Sequence, residues 1–533
     1  MSKKPLTPLP KPNLKIMPVP RRLVLGFDTL KGQFTTLAGL CLLFTLAGLI
    51  GSFLILSNVT NNLNEIINNN TPSILAAQRI NQAIQDADAK AADYQLYSRI
   101  ALTNSLPGFD VKAAQLQAWD TIVNRRREAA DSLFVARTNI TYPGEAESIQ
   151  TINDRFLAYI GRIDVMRDSL DRGHWEDALS AYKSARDILV GNLGNANLDT
   201  GGRSPEEQAK LAGWPNFDTS KSYLGIEANI HRLFAINNSY FEQARDKAIS
   251  GLNLLILVSV ALFAFMISGL GFLNVRTVIV LHRVINPGYL LALLLAIGAA
   301  ITLIISLNQI RQDYQTIARD SFISVEAVAN IRQLAADANA DESRLLLSPD
   351  ATGLNSTSTA LSPDVRLAFR SDILTENFTK KQNQIKDQLK TAWNNITYTG
   401  ELAALCKITA PPNTSRTCTN PNYALDSYLK LDSAIRSDFK QNQLAEAIKI
   451  DTGTSNQAFD SWDKALVELQ NVNETEFNRS ACGSLGVLKY TVGCEGLGYN
   501  FSFVPFLQVG IWIIFPLIAL GIAGGFLLTY REF

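Results

Sequence analysis

The stretch NITYPGE at residues 139–145 recurs as NITYTGE at residues 395–401, with one residue changed. Six identities in seven positions indicate an internal repeat, and a repeat decides how the rest of a long sequence is divided. Upstream of the motif, SILAAQRINQAIQDADA (73–89) aligns with SVEAVANIRQLAADANA (324–340). The chain is therefore predicted to be a duplication of one unit, in which an outer helical domain lies between two membrane spans.

The offset between aligned residues changes along the chain. It is 251 for the upstream stretch, 256 for the motif and 269 for AYIGRIDVMR (158–167) over SYLKLDSAIR (427–436). It then falls to 236 for INNSYF (236–241) over VNETEF (472–477). The rise of 13 equals the number of residues in Cys406–Cys418 and predicts an insertion there in the second copy, whereas the fall predicts about 33 extra residues in the first.

Four apolar runs account for the high hydrophobic content, 47% against 18% charged residues. They contain no Asp, Glu, Lys, Arg or His, and each is close to or above the length of about 20 helical residues that crosses a bilayer. They are predicted to be membrane spans: Phe34–Leu56, Leu252–Leu273, Tyr289–Leu307 and Pro505–Tyr530.

The distribution of charge orients these spans. The pieces 1–33, 274–288 and 531–533 contain ten basic and two acidic residues, a net charge of +8, so in a chain of net charge zero the segments 57–251 and 308–504 together carry −8. Because basic residues favour the cytoplasmic side, the chain is predicted to be N-in and C-in in a bacterial plasma membrane, with two acidic extracytoplasmic domains. Acidic domains argue against nucleic-acid binding. The basic, Pro-rich leader is expected to bind either a partner protein or anionic membrane lipid.

The cysteines indicate an oxidising compartment for the second outer segment. Cys406, Cys418, Cys482 and Cys494 occur as two pairs, each spaced by 12 residues. Two hairpin disulfides, Cys406–Cys418 and Cys482–Cys494, are predicted. A zinc site built from the four thiolates is the alternative, although such sites normally use CxxC pairs, which are absent here. Cys41 lies in the first span as a small apolar residue.

Each outer domain is predicted to be an antiparallel four-helix bundle, so the fold class is all-α. Apolar residues from Leu63 to Ile84 recur mostly at three- and four-residue steps, as in an amphipathic helix, and no alternating strand pattern appears. Stretches rich in turn-forming residues divide the first domain. They predict helices at about 58–104, 111–138, 145–171 and, with an interruption, 174–250.

The repeated motif is predicted to be the turn between the second and third helices, on the membrane-facing side of each bundle. Its glycines permit positive φ, and its Asn and Thr residues offer capping oxygens to the next helix. Two interpretations stay open, a turn kept for its geometry and a docking surface near the membrane. The residues concerned are Asn139, Thr141, Tyr142 and Gly144, and Asn395, Thr397, Tyr398 and Gly400.

This arrangement of helices and spans resembles the extracytoplasmic four-helix-bundle sensor domains of bacterial chemoreceptors and sensor kinases. Those receptors carry a large cytoplasmic output region, whereas the inner pieces here have 33, about 15 and 3 residues. In layout the chain is more similar to four-span bacterial transducers that couple an extracytoplasmic binding lipoprotein to a cytosolic Ser/Thr kinase. The resemblance implies an extracytoplasmic binding protein and a cytoplasmic kinase or other output protein as partners.

The sequence offers little sign of catalysis. Its three histidines lie far apart, and no HExxH, P-loop, GxSxG or EF-hand pattern occurs, so we expect no enzyme activity, metal or cofactor. Because ion pathways usually need ionisable residues in the membrane, a transporter is not favoured either. Two basic groups, Arg125–Arg126–Arg127 and Lys380–Lys381, are either contacts for an acidic ligand or partner, or solvated helix faces.

The sequence therefore predicts a sensor or transducer that relays an extracytoplasmic binding event to a separate cytoplasmic partner. The alternative is a structural subunit or scaffold of an envelope complex. The two copies are expected to pack as an internal pseudo-dimer, since they are tethered at high effective concentration. The alternative is a homo-oligomer formed by separate bundles.

Overall fold

Every regular element that the structure describes is helical, so the fold is all-α. The structure is a computed structural model, and it describes residues 30–103, 106, 108–191, 225–281, 286–315, 322–348, 361–396, 399–412, 418, 423–483 and 503–531.

The chain forms two compact units, which are described separately. The small unit is made of the described residues of 1–54, 255–305 and 508–533, and the large unit of those of 55–254 and 306–507. Both predicted outer segments thus belong to the same compact unit. Within it we call 55–254 the first half and 306–507 the second half.

The small unit consists of four helices that are long and apolar enough to cross a membrane, as predicted. Close approaches are made at small residues. A Cβ added at Gly269 would lie 2.9 Å from Cys41 Sγ, and one added at Gly288 would lie 2.4 Å from the Gly525 nitrogen. The helices that contribute to this unit are α1 (Leu30–Asn64), α6 (Ile226–Leu281), α7 (Pro287–Gln315) and α15 (Phe503–Tyr530).

The first half of the large unit follows the predicted helix order. A π-helical segment, Glu65–Asn70, joins α1 to α2 without a break, so residues 30–103 are continuously helical. The predicted helices at 111–138 and 145–171 agree with α3 and α4, and the interruption of the fourth follows α5. The helices are α2 (Thr71–Thr103), α3 (Val111–Thr138), α4 (Glu145–Asp171) and α5 (Trp175–Val190), followed by the start of α6.

The second half repeats this order with shorter pieces. Its helices are α8 (Phe322–Leu347), α9 (Pro363–Ala368), α10 (Ser371–Asn394), α11 (Thr399–Ile408), α12 (Ala424–Lys440), α13 (Leu444–Ile450) and α14 (Asn456–Gly483), with a π-helical segment at Asp451–Ser455.

One turn has the same geometry in both halves at the offset of 269. Gly173 has a φ of +77° and Asn442 a φ of +58°. In each case the next residue donates its backbone N–H over 2.8 Å to a carbonyl oxygen five residues earlier, Ser169 or Asp438. The alignment of the two halves therefore holds through this turn.

Helix α2 forms the centre of the large unit. It packs against α3 of its own half and against α8 of the other half. From Ile80 to Ile100 every residue is buried except Asp86 and Lys90, which are partly exposed. The sequence predicts an amphipathic helix here, but α2 is enclosed on nearly all sides because both halves pack on it.

The predicted first disulfide is present in the second half. The sulfur atoms of Cys406 and Cys418 are 2.01 Å apart, and both side chains pack against the hydrophobic core that surrounds Trp462. The predicted Cys482–Cys494 bond lies outside the described residues, since Cys494 is not among them.

Candidate functional site

The repeated motif fastens the start of α2. At the end of α3, the Asn139 side chain donates to the Asn69 carbonyl oxygen at 2.7 Å and to Ser73 Oγ at 2.8 Å. The Tyr142 hydroxyl donates to Glu65 Oε1 at 3.2 Å. The first copy of the motif therefore holds the π-helical segment and the first turn of α2.

The cap of α4 differs from the prediction. Gly144, with a φ of +91°, is the N-cap residue and provides no side-chain bond. Glu145 Oε2 instead accepts from the backbone N–H groups of Thr141 and Tyr142, at 2.6 and 2.7 Å. The predicted capping by the motif's Asn and Thr side chains is wrong for this copy, because no side chain caps α4; Asn139 donates to the start of α2, and the Thr141 hydroxyl donates to the Asn139 carbonyl oxygen.

The second copy of the motif makes the corresponding contact to its own first helix. Asn395 Nδ2 donates to Ser324 Oγ at 3.0 Å, which reproduces the Asn139 to Ser73 bond at aligned positions. The predicted residues Thr397 and Tyr398 lie outside the described residues.

The glycines of the motif allow a neighbouring helix to pack closely against it. A Cβ at Gly144 would lie 3.2 Å from Ile236 Cδ1, and one at Gly400 would lie 3.0 Å from Val472 Cγ1, again at aligned positions. Gly400 lies within α11 and has no positive φ, so the predicted use of positive φ holds for Gly144 only. In both halves the glycine is needed for close packing of the last helix.

The basic residues predicted as ligand contacts are mostly engaged within the protein. Arg127 is exposed, while Lys381 is largely buried. Because their partners are the protein's own carboxylates, these cations do not form a free surface for an anion. The pairs are Arg125 with Asp86 and Glu128, Arg126 with Asp164, Lys380 with Glu376, and Lys381 with Asp337 and Asp341.

Lys381 belongs to a buried ion-pair network between the halves. At its centre is Arg344 of α8, which is 2% exposed and whose Nη2 binds Asp88 of α2. Its Nη1 binds Asp341 at 2.6 Å and Asp337 at 3.0 Å. We call this group the closed network, and its members are Asp88, Asp337, Asp341, Arg186, Arg344 and Lys381.

The charges of the closed network balance, three carboxylates against three cations. Burial disfavours the charged form of Asp337, but Lys381, Arg344 and Arg186 outweigh it and hold the pKa of Asp337 well below its usual value. Hydroxyl groups complete the coordination, since Arg344 Nε donates to the Tyr182 hydroxyl at 3.1 Å. A buried ion cluster tolerates its desolvation cost only when it is paired in this way.

A cleft lies on α2 at the residues aligned with this network. Its volume is about 520 Å³, within the range of small-molecule sites. It is bounded by α2, α3 and the residue Ala336 of α8, together with the second π-helical segment and the start of α14. We call it the open cleft; its charged and aromatic lining residues are Asp86, Lys90, Asp93, Tyr97, Phe109, Arg125, Phe459, Asp460 and Asp463.

Two ion pairs lie on the α2 side of the open cleft. Asp86 Oδ2 is 3.1 Å from Arg125 Nη2, and Asp93 Oδ2 is 2.8 Å from Lys90 Nζ. Burial raises the pKa of Asp86 to about 6, although the guanidinium of Arg125 acts in the opposite direction. The buried Ser343 hydroxyl donates to Asp93 Oδ1 at 2.7 Å and ties this wall to α8.

The other wall carries acidic groups with fewer partners. Asp463 pairs with Arg332 at 3.0 Å, while Asp460 is exposed. Asp451, directly before the lining residue Thr452, is 2% exposed, and its Oδ2 has no hydrogen-bond partner in the part of the chain that the structure describes. Burial, and then the charge of Asp93, raises the pKa of Asp451 well above its usual value.

The carboxylates of the open cleft were not predicted from the sequence. A signal was present, because α2 combines a buried, alanine-rich pattern with the charged residues Asp86, Asp88, Lys90 and Asp93. Charged residues in such a stretch are almost never fully buried unless they are paired. Most of their partners could not be named, because Arg186 belongs to α5 and Ser343 and Arg344 belong to α8, which are distant in sequence.

No protein-family profile, curated protein or solved structure matches this chain. Functional conclusions therefore depend on the geometry described above.

Proposed function

We propose that the chain is a membrane-embedded sensor and transducer. In this proposal the large unit lies on the extracytoplasmic side and binds a ligand or a binding protein at the open cleft. Binding shifts the helices that continue into the membrane, and a separate cytoplasmic partner, such as a Ser/Thr kinase, responds to the shift.

The observation that carries this proposal is the continuity of residues 30–103. The first candidate membrane span, the π-helical segment and α2 form one uninterrupted helical stretch. Asp86, Lys90 and Asp93 of the same stretch line the open cleft. A displacement of α2 at the cleft is therefore covalently coupled to the span, and small axial or rotational helix shifts are an established means of switching.

The junction between span and α2 supports the same function. It is π-helical, and π-turns within α-helices occur frequently at functional sites. Asn139 and Tyr142 bind this segment from the turn between α3 and α4. Movement of that turn would therefore act on the junction directly.

We also propose that the two halves arose by duplication and form an internal pseudo-dimer of extracytoplasmic bundles. Three pairs of equivalent contacts at aligned positions support this: the Asn to Ser bonds of the motif, the glycine approaches to Ile236 and Val472, and the turns at Gly173 and Asn442.

One observation favours the scaffold as a second candidate. The closed network joins α2 to α8 through buried, balanced ion pairs, which resist sliding of one helix along the other. A scaffold would need such a joint and would not need an open cleft.

Disulfide formation between the first two spans distinguishes these functions. Gly269→Cys would place a Cβ 2.9 Å from the Sγ of Cys41, and their rate of crosslinking under mild oxidation in membranes reports the packing of the spans. We combine Gly269→Cys with Gly453→Arg in the same chain. Gly453→Arg introduces a long side chain into the open cleft, at a position where a Cβ meets no atom within 4 Å. The control is Gly453→Ala.

A sensor predicts that Gly453→Arg changes the crosslinking rate several-fold relative to Gly453→Ala. Equal rates in the two variants would favour the scaffold. Asp177→Asn, at an exposed position on α5, should leave the rate unchanged, and Cys41→Ser should remove the crosslink.

A further inference from the structure

The closed network and the open cleft occupy equivalent positions in the two halves. At the offset of 251, Asp337 aligns with Asp86, and at 256, Lys381 aligns with Arg125. Each aspartate pairs with its basic partner, at 2.6 Å in the closed network and at 3.1 Å in the open cleft. The same ion pair is thus present at both sites.

Two further correspondences extend this equivalence. At the offset of 236, Glu227 beside the closed network aligns with Asp463 of the open cleft. Within α8 and α2, the Asp341–Arg344 pair aligns with the Lys90–Asp93 pair, so that acid and base have exchanged places. The open cleft therefore has a carboxylate at the position where the closed network has its central guanidinium.

A second guanidinium of the closed network also has no counterpart in the open cleft. Arg186 binds Asp88 at 2.8 Å and Asp337 at 3.3 Å. At the offset of 269 its aligned residue is Ser455, whose short side chain donates to Glu342 instead. Tyr182, which contacts Arg344, aligns with Asp451.

The open cleft consequently has more negative than positive charge. Of the four aspartates in its lining, Asp86 and Asp93 pair with Arg125 and Lys90. Asp463 pairs with Arg332, and Asp460 has no ion pair among the described residues. The adjoining carboxylate of Asp451 adds an oxygen without a hydrogen-bond partner in the described part of the chain. Buried carboxylates are stable as anions only when a cation accompanies them.

We propose that the open cleft binds a small organic cation that carries a guanidinium or primary ammonium group, which takes the place that Arg186 and Arg344 have in the closed network. This inference rests on the proposed sensing function, of which it names the ligand class. The ligand's cationic group lies between the lining carboxylates of Asp86, Asp93 and Asp460, which Asp451 adjoins. Aromatic rings accompany the carboxylates, since Tyr97 and Phe109 have ring centroids 5.9 Å apart and both line the cleft.

An organic cation fits the cleft better than a metal ion. Among the described residues, no group of three or more His, Cys, Asp or Glu side chains has an arrangement that could hold a metal ion. Fork-shaped guanidinium donors match separate carboxylates, as in the closed network, and aromatic faces attract organic cations. The volume of about 520 Å³ also exceeds the needs of a single ion.

Titration calorimetry on the purified full-length chain in detergent tests the proposal. The probes are agmatine and putrescine, with L-glutamate and calcium chloride as controls of opposite charge and of metal character. We expect saturable binding of agmatine or putrescine at micromolar to millimolar concentration, and none of the controls. Absence of saturable binding by both amines, or binding of calcium or glutamate in their place, would overturn the proposal.

Variants locate the site. Gly453→Arg supplies a guanidinium from the chain itself and should weaken agmatine binding at least about tenfold, whereas Gly453→Ala should stay within about twofold of the parent chain. Asp460→Asn, at an exposed cleft position, should weaken agmatine binding several-fold. It tests the location of the site if Gly453→Arg does not fold. If Gly453→Arg folds and its affinity for agmatine is unchanged, the proposed ligand site is refuted. If Gly453→Arg does not fold, an unchanged affinity in Asp460→Asn refutes the site.

Failure of the ligand class and failure of the sensor function have different signatures. If Gly453→Arg alters crosslinking between the first two spans but neither amine binds, the cation proposal is refuted and the sensor stands. If agmatine binds at the cleft and crosslinking is unaffected by Gly453→Arg and by agmatine, the cation proposal stands and the relay is refuted.

Discussion

Arg344→Gln should destabilise the large unit strongly. The substitution leaves Asp88, Asp337 and Asp341 in the closed network with two cations instead of three, and Asp88 and Asp341 are essentially inaccessible to solvent. Removing one partner of a buried ion pair costs about 3–5 kcal/mol. For a unit of about 400 residues that unfolds with roughly 2.1 cal/mol/K per residue, this loss lowers the unfolding midpoint by roughly 4–6 °C.

The assay is thermal unfolding of the full-length chain in detergent, followed by tryptophan fluorescence. Trp393 and Trp462 are buried in the large unit and report its unfolding. Adding Asp88→Asn to Arg344→Gln should recover part of the loss, because it removes the carboxylate that was left unpaired. Arg370→Gln is the matched control, since its pair with Asp372 is exposed and should change the midpoint by less than about 1 °C.

The reasoning fails if Arg344→Gln changes the midpoint no more than the exposed control does. It also fails if the double variant is destabilised by the full sum of the two single effects, because coupled charges in one network cannot act independently.

Four further outcomes are expected. Gly144→Ala should cost about 1–2 kcal/mol, because its φ of +91° is unfavourable for alanine. Gly400→Ala should cost less in thermal unfolding, because Gly400 has no positive φ and its added Cβ would meet only the side chain of Val472, whose nearest atom is 3.0 Å away. Cys418→Ser should cost about 3 kcal/mol for a loop of this length, measured by chemical denaturation. Burial, followed by the charge of a neighbouring aspartate, raises the pKa of Glu227 from 4.5 to about 7. Its contribution to stability is therefore present below pH 4.5 and lost as the pH rises through 7, so Glu227→Gln should reduce the decline in unfolding midpoint over that interval. Cysteines introduced in 274–288 should be protected from impermeant thiol reagents in intact cells, and labelling from outside would reverse the orientation.

The helical elements could be predicted because their signals are local. Helices α3 and α4 begin and end at turn-forming residues such as Pro143 and Gly173, and the four apolar runs follow from hydropathy alone. The Cys406–Cys418 bond followed from sequence spacing together with the change in repeat offset.

The burial of α2 could not be predicted from its own sequence. Its apolar periodicity is that of a helix with one solvated face, yet α8 covers that face and pairs with Asp88 and Asp93. The repeat alignment identified α8 as the equivalent helix. It did not reveal which faces meet, because that depends on packing between segments about 250 residues apart.

The role of the repeated motif was only partly accessible for a similar reason. A turn was correctly expected, but Asn139 binds Ser73, which lies 66 residues earlier, and the Glu145 carboxylate binds backbone N–H groups of the turn that precedes α4.

If the two halves arose by duplication as proposed, the exchange of acid and base between Lys90–Asp93 and Asp341–Arg344 has an evolutionary consequence. In a dimer of identical subunits, every mutation appears twice, so a substitution that closes one site with an ion pair closes the equivalent site as well. A chain that contains both halves escapes this constraint, and selection can act on each site alone. One site can then become a permanently paired joint, while the other is free to change its charged residues.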